Sequence, residues 1–121
     1  NPTLDVVDLR HVCDLAHAVG ATVVVDNVFA TPLLQRPVEY GADVVVYSGT
    51  KHIDGQGRAL GGVILCRQAF FDDHLNQYLR HTGPTMSPFN AWILLKGLET
   101  LELRVTRMCE NAARVADFLA G

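Results

Sequence analysis

The sequence predicts an α/β domain whose sheet is mostly parallel with one antiparallel strand, and three observations support this fold class. Residues 22–26 and 43–47 are two β-branched apolar runs without alternation, which is typical of parallel strands buried on both faces. Helical periodicity precedes the first run and dominates the chain after a third predicted strand, 62–66. The connection 48–61 has four glycines and no helical periodicity. Because a parallel crossover needs at least that length and usually a helix, we expect the third strand to run antiparallel to the second.

The first elements follow from local signals. Asp8 is suited to cap a helix over residues 9–19, where apolar positions recur at helical spacing, and Gly20 suits the end of that helix. The strand over 22–26 comes next. Residues 27–42 contain two prolines and a glycine, so we expect mostly loop with one helical turn before the second strand.

The last part of the chain is predicted to be helical. Residues 68–80 form an amphipathic pattern. Ser87 is suited to cap a helix that begins with Pro88 and ends near residue 98, and a further helix is predicted over 101–119. We expect the large aromatic residues of the first of these two helices to lie in the core: Phe89 and Trp92.

The composition excludes several functional classes. The net charge is −3 and there is no basic run, which argues against nucleic acid or an anionic membrane as a partner. No apolar stretch reaches the roughly 18 residues that a membrane span needs. The three cysteines are far apart without a Cys-x-x-Cys pair, which argues against a disulfide scaffold or a zinc site and is typical of a reducing compartment. We therefore expect a cytoplasmic protein without a metal site.

Polar residues follow the two predicted parallel strands. Asp26 ends the first strand, and Ser48, Thr50 and Lys51 follow the second, around Gly49. Because ligands of open α/β sheets bind beyond the carboxyl ends of the strands, these side chains are candidates for one site. Hydroxyls for a phosphate, an amine and a carboxylate together match pyridoxal 5′-phosphate. An aspartate at a strand end also serves as an ordinary turn cap, and Ser-Gly-Thr-Lys also occurs as an ordinary loop. The order of residues differs from a nucleotide P-loop, in which lysine precedes the hydroxyl.

Lysine is rare in this chain. Of ten basic residues only two are lysines, Lys51 and Lys96. Lys96 falls in a predicted helix, whereas Lys51 follows a predicted strand. A Schiff base to the cofactor is therefore assigned to Lys51.

A resemblance to a known family extends this interpretation. Asn1-Pro2, the segment Val-Asp-Asn-Val-Phe-Ala-Thr-Pro at residues 25–32 and Ser-Gly-Thr-Lys at 48–51 resemble the Cys/Met metabolism family of PLP-dependent enzymes. The interval from Asn1 to Asp26 equals that from Asp26 to Lys51, as in that family. The resemblance implies the central part of a large domain of the aspartate-aminotransferase-like fold (fold type I).

The resemblance implies a role for each matching residue. Lys51 is the catalytic residue, which binds the cofactor covalently and then moves protons on the substrate. Asp26 binds the pyridine nitrogen, Ser48 and Thr50 hold the phosphate, and Asn1 lies near the 3′-oxygen. Pyridoxal 5′-phosphate is thus the implied cofactor.

The resemblance also implies a reaction. Residues 51–58 and 80–84 are most similar to the O-succinylhomoserine sulfhydrylase branch of the family. That branch is a transferase of methionine biosynthesis and trans-sulfuration, in which sulfide replaces succinate on O-succinyl-L-homoserine and homocysteine is formed. A cystathionine γ-synthase, a cystathionine or methionine lyase, and a non-catalytic phosphate-binding or assembly fragment remain alternatives. The roles of His52 and Arg58 stay open.

The family's chains are longer than this sequence. We therefore expect residues 1–121 to be the central and C-terminal portion of the PLP-binding domain, with an N-terminal part and a C-terminal small domain absent. The resemblance implies an amino-acid substrate and a homotetramer for the full-length protein. We expect the isolated fragment to be inactive.

Overall fold

The computed structural model describes residues 3–121. Contacts divide the chain into two units, described separately below. The first unit takes in the chain up to Tyr47 together with Val63–Thr85, and the second takes in Ser48–Gly62 together with Met86–Gly121. The predicted role of Asn1 falls outside the described residues.

The first unit contains a helix, the sheet and a segmented helix. In chain order its elements are α1 (Leu9–Ala18), β1 (Val24–Asp26), the short α2 (Thr31–Leu34), a tight turn at Pro37–Tyr40, β2 (Val44–Ser48) and β3 (Gly62–Cys66). The helix predicted over 68–80 is present as α3 (Gln68–Phe70), a wider turn at Phe71–Leu75 and α4 (Asn76–Thr82). Ser48, the last residue of β2, and Gly62, the first residue of β3, belong to the second unit.

The described residues form a three-stranded sheet of order β1-β2-β3. Strands β1 and β2 are parallel, with Val24 opposite Val44 and Asp26 opposite Val46. The Gly49 N–H donates to the Gly61 carbonyl at 2.8 Å. Because this bond joins the end of β2 to the start of β3, the third strand is antiparallel. The mixed sheet confirms the predicted fold class.

Helix caps lie where the sequence predicts them. The Asp8 carboxylate accepts from the His11 N–H at 3.0 Å at the start of α1. The Ser87 hydroxyl accepts from the Asn90 N–H at 3.1 Å at the start of α5 (Pro88–Leu98). Both bonds satisfy an N–H group that a helix leaves without an internal partner.

The buried apolar residues of the first unit include Cys13 of α1 and Val23, Val44 and Val45 in or next to the parallel strands. Gly41 has φ 109° and lies against Cys13, where a Cβ would come within 3.1 Å of the cysteine Cβ. Only glycine meets both requirements, a left-handed backbone and a close approach.

The second unit contains α5 and α6 (Leu101–Ala120) and the segment between β2 and β3. Its core consists of Ala59, Ile93 and Leu94, with Ile53 and Met86 packed against them. Only Leu101 and Val105 of α6 are buried. Among residues 3–121, no helix is both long and apolar enough to cross a membrane.

Two expectations about burial are wrong. Strand β1 is not buried on both faces, since the Val24 side chain is 58% exposed; within the described sheet β1 is an edge strand with a single neighbour. Phe89 and Trp92 are 66% and 55% exposed. They stack loosely on each other, with ring centroids 6.2 Å apart, on a face of α5 that the second unit does not cover.

Candidate functional site

Lys51 lies in a single helical turn directly after β2. We call Gly49–Ile53 the lysine turn. The turn is closed by two backbone bonds, from the Asp54 N–H to the Gly49 carbonyl (2.9 Å) and from the Gly55 N–H to the Lys51 carbonyl (2.7 Å). The backbone of Lys51 departs from helical geometry, with φ −87° and ψ −117°. The sequence interpretation of 48–61 as an irregular connection missed this turn.

Gly49 permits the lysine turn to pack closely on its surroundings. A Cβ at this position would lie 2.9 Å from the Leu94 Cδ1 and 3.2 Å from the Gly61 carbonyl. The Gly49 N–H is already bonded to that carbonyl. It is therefore not free to bind an anion.

The two hydroxyls of the site retain protons to donate. The Thr50 Oγ1 accepts from the Gly61 N–H at 3.3 Å, which fixes the side chain and leaves its own O–H proton unused. The Ser48 hydroxyl has no hydrogen-bond partner within residues 3–121. Both residues are half-buried. A hydroxyl that has an acceptor bond and a spare proton is suited to bind a phosphate oxygen.

The two lysines differ in their surroundings. Lys51 is exposed, and within the part of the chain that the structure describes its amine forms no ion pair. Lys96 lies on α5, and its Nζ is 2.6 Å from the Glu99 Oε1. An aldehyde reacts with a free amine, so the contrast favours Lys51 as the residue that binds one. The lysine turn and the preceding Ser48 together offer two hydroxyls and one unpaired amine, a donor set that fits pyridoxal 5′-phosphate.

A buried carboxylate follows the lysine turn. Asp54 is fully buried; its Oδ2 accepts from the Arg58 N–H at 2.6 Å, and its Oδ1 accepts from the Arg58 Nε at 2.9 Å. Burial raises the pKa of the Asp54 carboxyl, but the Arg58 backbone N–H and guanidinium outweigh this, so the pKa lies below its ordinary value. Arg58 therefore has a structural contact within the loop that follows Lys51.

Arg104 binds the carbonyl end of the lysine turn from α6. Its Nη1 donates to the His52 carbonyl at 2.7 Å, and its Nη2 donates to the Ile53 carbonyl at 3.2 Å and the Gly97 carbonyl at 2.7 Å. Its Nε donates to the Thr100 Oγ1 at 3.0 Å. Sequence reasoning missed this residue. The sequence did contain one signal for it. Arg104 lies in the first turn of the predicted helix, where a cation is unfavourable next to the helix dipole, so its position indicates a hydrogen-bond or ion-pair partner elsewhere.

Asp26 lies in the first unit, at the end of β1. Its Oδ1 accepts from the Val28 N–H at 3.1 Å, which leaves Oδ2 and the remaining lone pairs unused. The carboxylate is exposed on the wall of a cavity of about 350 Å³. The other residues of this wall are mostly apolar and include Val7, Leu9, Val25, Phe29 and Ala30. A carboxylate in such surroundings is suited to pair with the protonated nitrogen of an aromatic ring.

The residue after Asp26 holds the loop that follows it. Asn27 is 2% exposed. Its Nδ2 lies within hydrogen-bond distance of the Thr31 carbonyl (3.1 Å), the Gln35 carbonyl (2.9 Å) and the Tyr47 Oη (3.0 Å). Thr31 has φ 59°, an unfavourable conformation for a β-branched residue. The Asn27 side chain thus fixes a strained loop directly after the carboxylate.

The predicted site residues are therefore distributed as follows. Ser48, Thr50 and Lys51 lie together at and within the lysine turn of the second unit. Asp26 lies at a cavity of the first unit. Asn1 is outside residues 3–121.

The whole chain matches a family model. That model is described as Cys/Met metabolism PLP-dependent enzyme and covers residues 1–121. The chain is 60% identical to O-succinylhomoserine sulfhydrylase of Mycobacterium tuberculosis over 121 residues, which is 100% of this chain and 30% of that protein. It is 46% identical to L-methionine gamma-lyase of Pseudomonas putida, with 99% of this chain and 30% of that protein covered.

A solved structure is similar in fold. Cystathionine gamma synthase from Xanthomonas oryzae pv. oryzae, in complex with aminoacrylate and cysteine, superposes with a TM-score of 0.90 at 43% identity. The match covers 100% of this chain and 31% of that one. The chain spans about 30% of the length of the curated relatives it matches.

Proposed function

Because the chain belongs to the Cys/Met metabolism family of PLP-dependent enzymes, we propose that it serves a γ-replacement on O-succinyl-L-homoserine. In this reaction sulfide replaces succinate, and homocysteine is formed for methionine biosynthesis. The 60% identity to a sulfhydrylase supports this activity over the lyase and synthase activities of relatives that are 46% and 43% identical. The structural observation that carries the proposal is the unpaired Lys51 amine next to two hydroxyl donors, Thr50 within the lysine turn and Ser48 directly before it.

The cofactor of this family is pyridoxal 5′-phosphate. When bound, it supplies an electron sink that stabilises negative charge next to the substrate amine. We assign its covalent attachment to Lys51 Nζ and its phosphate to the hydroxyls of Ser48 and Thr50. We assign its ring nitrogen to the carboxylate of Asp26, and Asn1 to the neighbourhood of its 3′-oxygen.

Lys51 has a second task in the proposed reaction. When it is not attached to the cofactor, its Nζ would be free to act as a base. This base removes protons from the substrate at Cα and then at Cβ, and it returns protons after sulfide has replaced succinate at Cγ. The lack of an ion pair among the described residues supports this task, because a paired carboxylate would hold the amine in its protonated form.

The wider protein is also proposed on the family's pattern. We propose that residues 1–121 are the central and C-terminal portion of the cofactor domain of a cytoplasmic homotetramer. The isolated chain then lacks parts of the site, and we expect it to be inactive alone.

The second candidate function is that of a cystathionine γ-synthase, which the similarity to the solved structure with cysteine bound supports.

The nucleophile separates the two candidates. The full-length protein, loaded with pyridoxal 5′-phosphate, is given O-succinyl-L-homoserine with equal concentrations of sulfide and cysteine. Homocysteine as the main product supports the sulfhydrylase. Cystathionine as the main product overturns it in favour of the synthase, and release of 2-oxobutyrate with neither thioether nor thiol product indicates a lyase.

A further inference from the structure

The backbone carbonyls at the end of the lysine turn need hydrogen-bond donors from outside the turn. Its last residues are His52 and Ile53, and the carbonyls at a helix end have no partner within the helix. The guanidinium of Arg104 donates to both oxygens, at 2.7 Å and 3.2 Å.

The same guanidinium is fixed on its other side by the helices of the second unit. Its Nη2 donates to the Gly97 carbonyl near the end of α5, and its Nε donates to Thr100 directly before α6. Four hydrogen bonds therefore hold one planar group between the helix pair and the lysine turn. Such an arrangement needs the rigid fork of arginine, which the compact ammonium of lysine does not reproduce.

Two glycines make room for this group. A Cβ at Gly55 would lie 2.1 Å from the Arg104 Nη1, and a Cβ at Gly97 would lie 2.1 Å from the Ile53 carbonyl oxygen. Neither glycine has a side chain that would obstruct the contact between Arg104 and the lysine turn. The contact therefore depends on residues of the lysine turn and the loop after it, of α5 and of α6.

We infer that Arg104 is a positioning residue for Lys51: by binding the carbonyls of His52 and Ile53 it fixes the orientation of the turn that carries the lysine. Arg104 itself touches no reacting atom. This role rests on the proposed function in one respect, the attachment of the cofactor to Lys51.

Three variants of the full-length protein test this role. Arg104→Met removes every donor at similar length, and Arg104→Lys keeps the charge without the fork. Arg107→Met is the matched control, since Arg107 lies on the same helix, is exposed and pairs only at the surface with Glu110 at 3.3 Å. Urea unfolding identifies the variants that are folded, and Arg104→Lys carries the comparison where Arg104→Met does not fold.

Hydrogen exchange of the cofactor-free protein is the first measurement. The amides of Asp54 and Gly55 close the lysine turn. Loss of charged hydrogen bonds to the turn is expected to speed their exchange about tenfold or more in both Arg104 variants. Arg107→Met is expected to leave it unchanged.

Visible circular dichroism of the loaded protein is the second measurement. Its intensity for each bound cofactor reports the orientation of the cofactor, which a general loss of stability does not change in the folded fraction. We expect it to fall in both Arg104 variants and to persist in Arg107→Met.

Wild-type exchange at both amides in a folded Arg104 variant overturns the inference, and so does an equal effect in Arg107→Met. Attachment of the cofactor at another lysine in the wild type contradicts the proposed function instead. The exchange comparison then still decides whether Arg104 holds the turn.

Discussion

Gly97 lies so close to the Ile53 carbonyl that a Cβ on this glycine would be 2.1 Å from the oxygen. In an exposed helix, replacement of glycine by alanine stabilises by about 0.5–1 kcal/mol. Here the sign reverses, because α5 and the lysine turn must separate to admit a methyl group. We predict that Gly97→Ala lowers the free energy of unfolding by about 1–3 kcal/mol.

Urea unfolding of the full-length protein measures this change. Gly57→Ala is the control, since nothing lies within 4 Å of a Cβ there and only the positive φ of 67° opposes the substitution. The packing interpretation fails if Gly97→Ala is as stable as the parent protein.

Lys51 is predicted to be the attachment point of the cofactor. We expect Lys51→Arg to abolish covalent attachment and to lower kcat by at least about a hundredfold, because the chain then lacks its general base. Lys96→Arg is the matched control and is expected to retain activity, because its partner Glu99 accepts either cation. Borohydride reduction followed by peptide mapping locates the label. A label on Lys96 would refute the assignment.

Thr50 is predicted to hold the phosphate through a hydroxyl that Gly61 already orients. Thr50→Val keeps the shape and removes the donor. We expect it to weaken binding of pyridoxal 5′-phosphate about tenfold or more, as the loss of a hydrogen bond to a charged group implies.

Thr50→Ser keeps the hydroxyl and is expected to bind the cofactor nearly as the parent does. Equilibrium dialysis against the cofactor measures the affinity. Equal affinity of the valine and serine variants would remove Thr50 from the phosphate site.

Asp54 gives a pH dependence with a definite sign. Its pKa in the folded protein lies below the ordinary value of 3.8, because the Arg58 N–H and guanidinium outweigh burial. The stability that this ionised group contributes is therefore fully present above pH 3.8 and is lost as the pH falls through the lower, folded pKa. We predict that the Asp54→Asn variant loses less stability than the parent on acidification below this pH.

Urea midpoints at mildly and strongly acidic pH, in the full-length protein, measure the difference between parent and variant. Asp117→Asn, at an exposed position on α6, is the control and is expected to follow the parent curve. Parallel curves for the parent and Asp54→Asn would show that the Arg58 contact does not stabilise the ionised form.

The sequence predicts those features of the fold whose cause is local. Asp8 and Ser87 cap helices because each side chain bonds an N–H three residues away. The strands and the antiparallel turn at residues 48–61 follow from β-branched runs and from the length of one connection. The family resemblance, rather than periodicity, identifies the cofactor.

Burial and long-range contacts are harder to predict from the sequence. Val24, Phe89 and Trp92 look like core residues, yet their exposure depends on which neighbours surround an edge strand or a helix face. Most of the bonds that Asn27 and Arg104 donate go to backbone carbonyls. Any residue supplies a carbonyl, so no pairing of residue types marks such a contact in the sequence.

The contact between Arg104 and the His52 carbonyl spans 52 residues. On a ribosome that adds about 5–20 residues per second, the arginine is made about 3–10 seconds after the turn it binds. The lysine turn of a nascent chain therefore exists for seconds without its guanidinium. On the inference that Arg104 fixes this turn, we expect the Lys51 amine to reach its final orientation only after α6 has been synthesised.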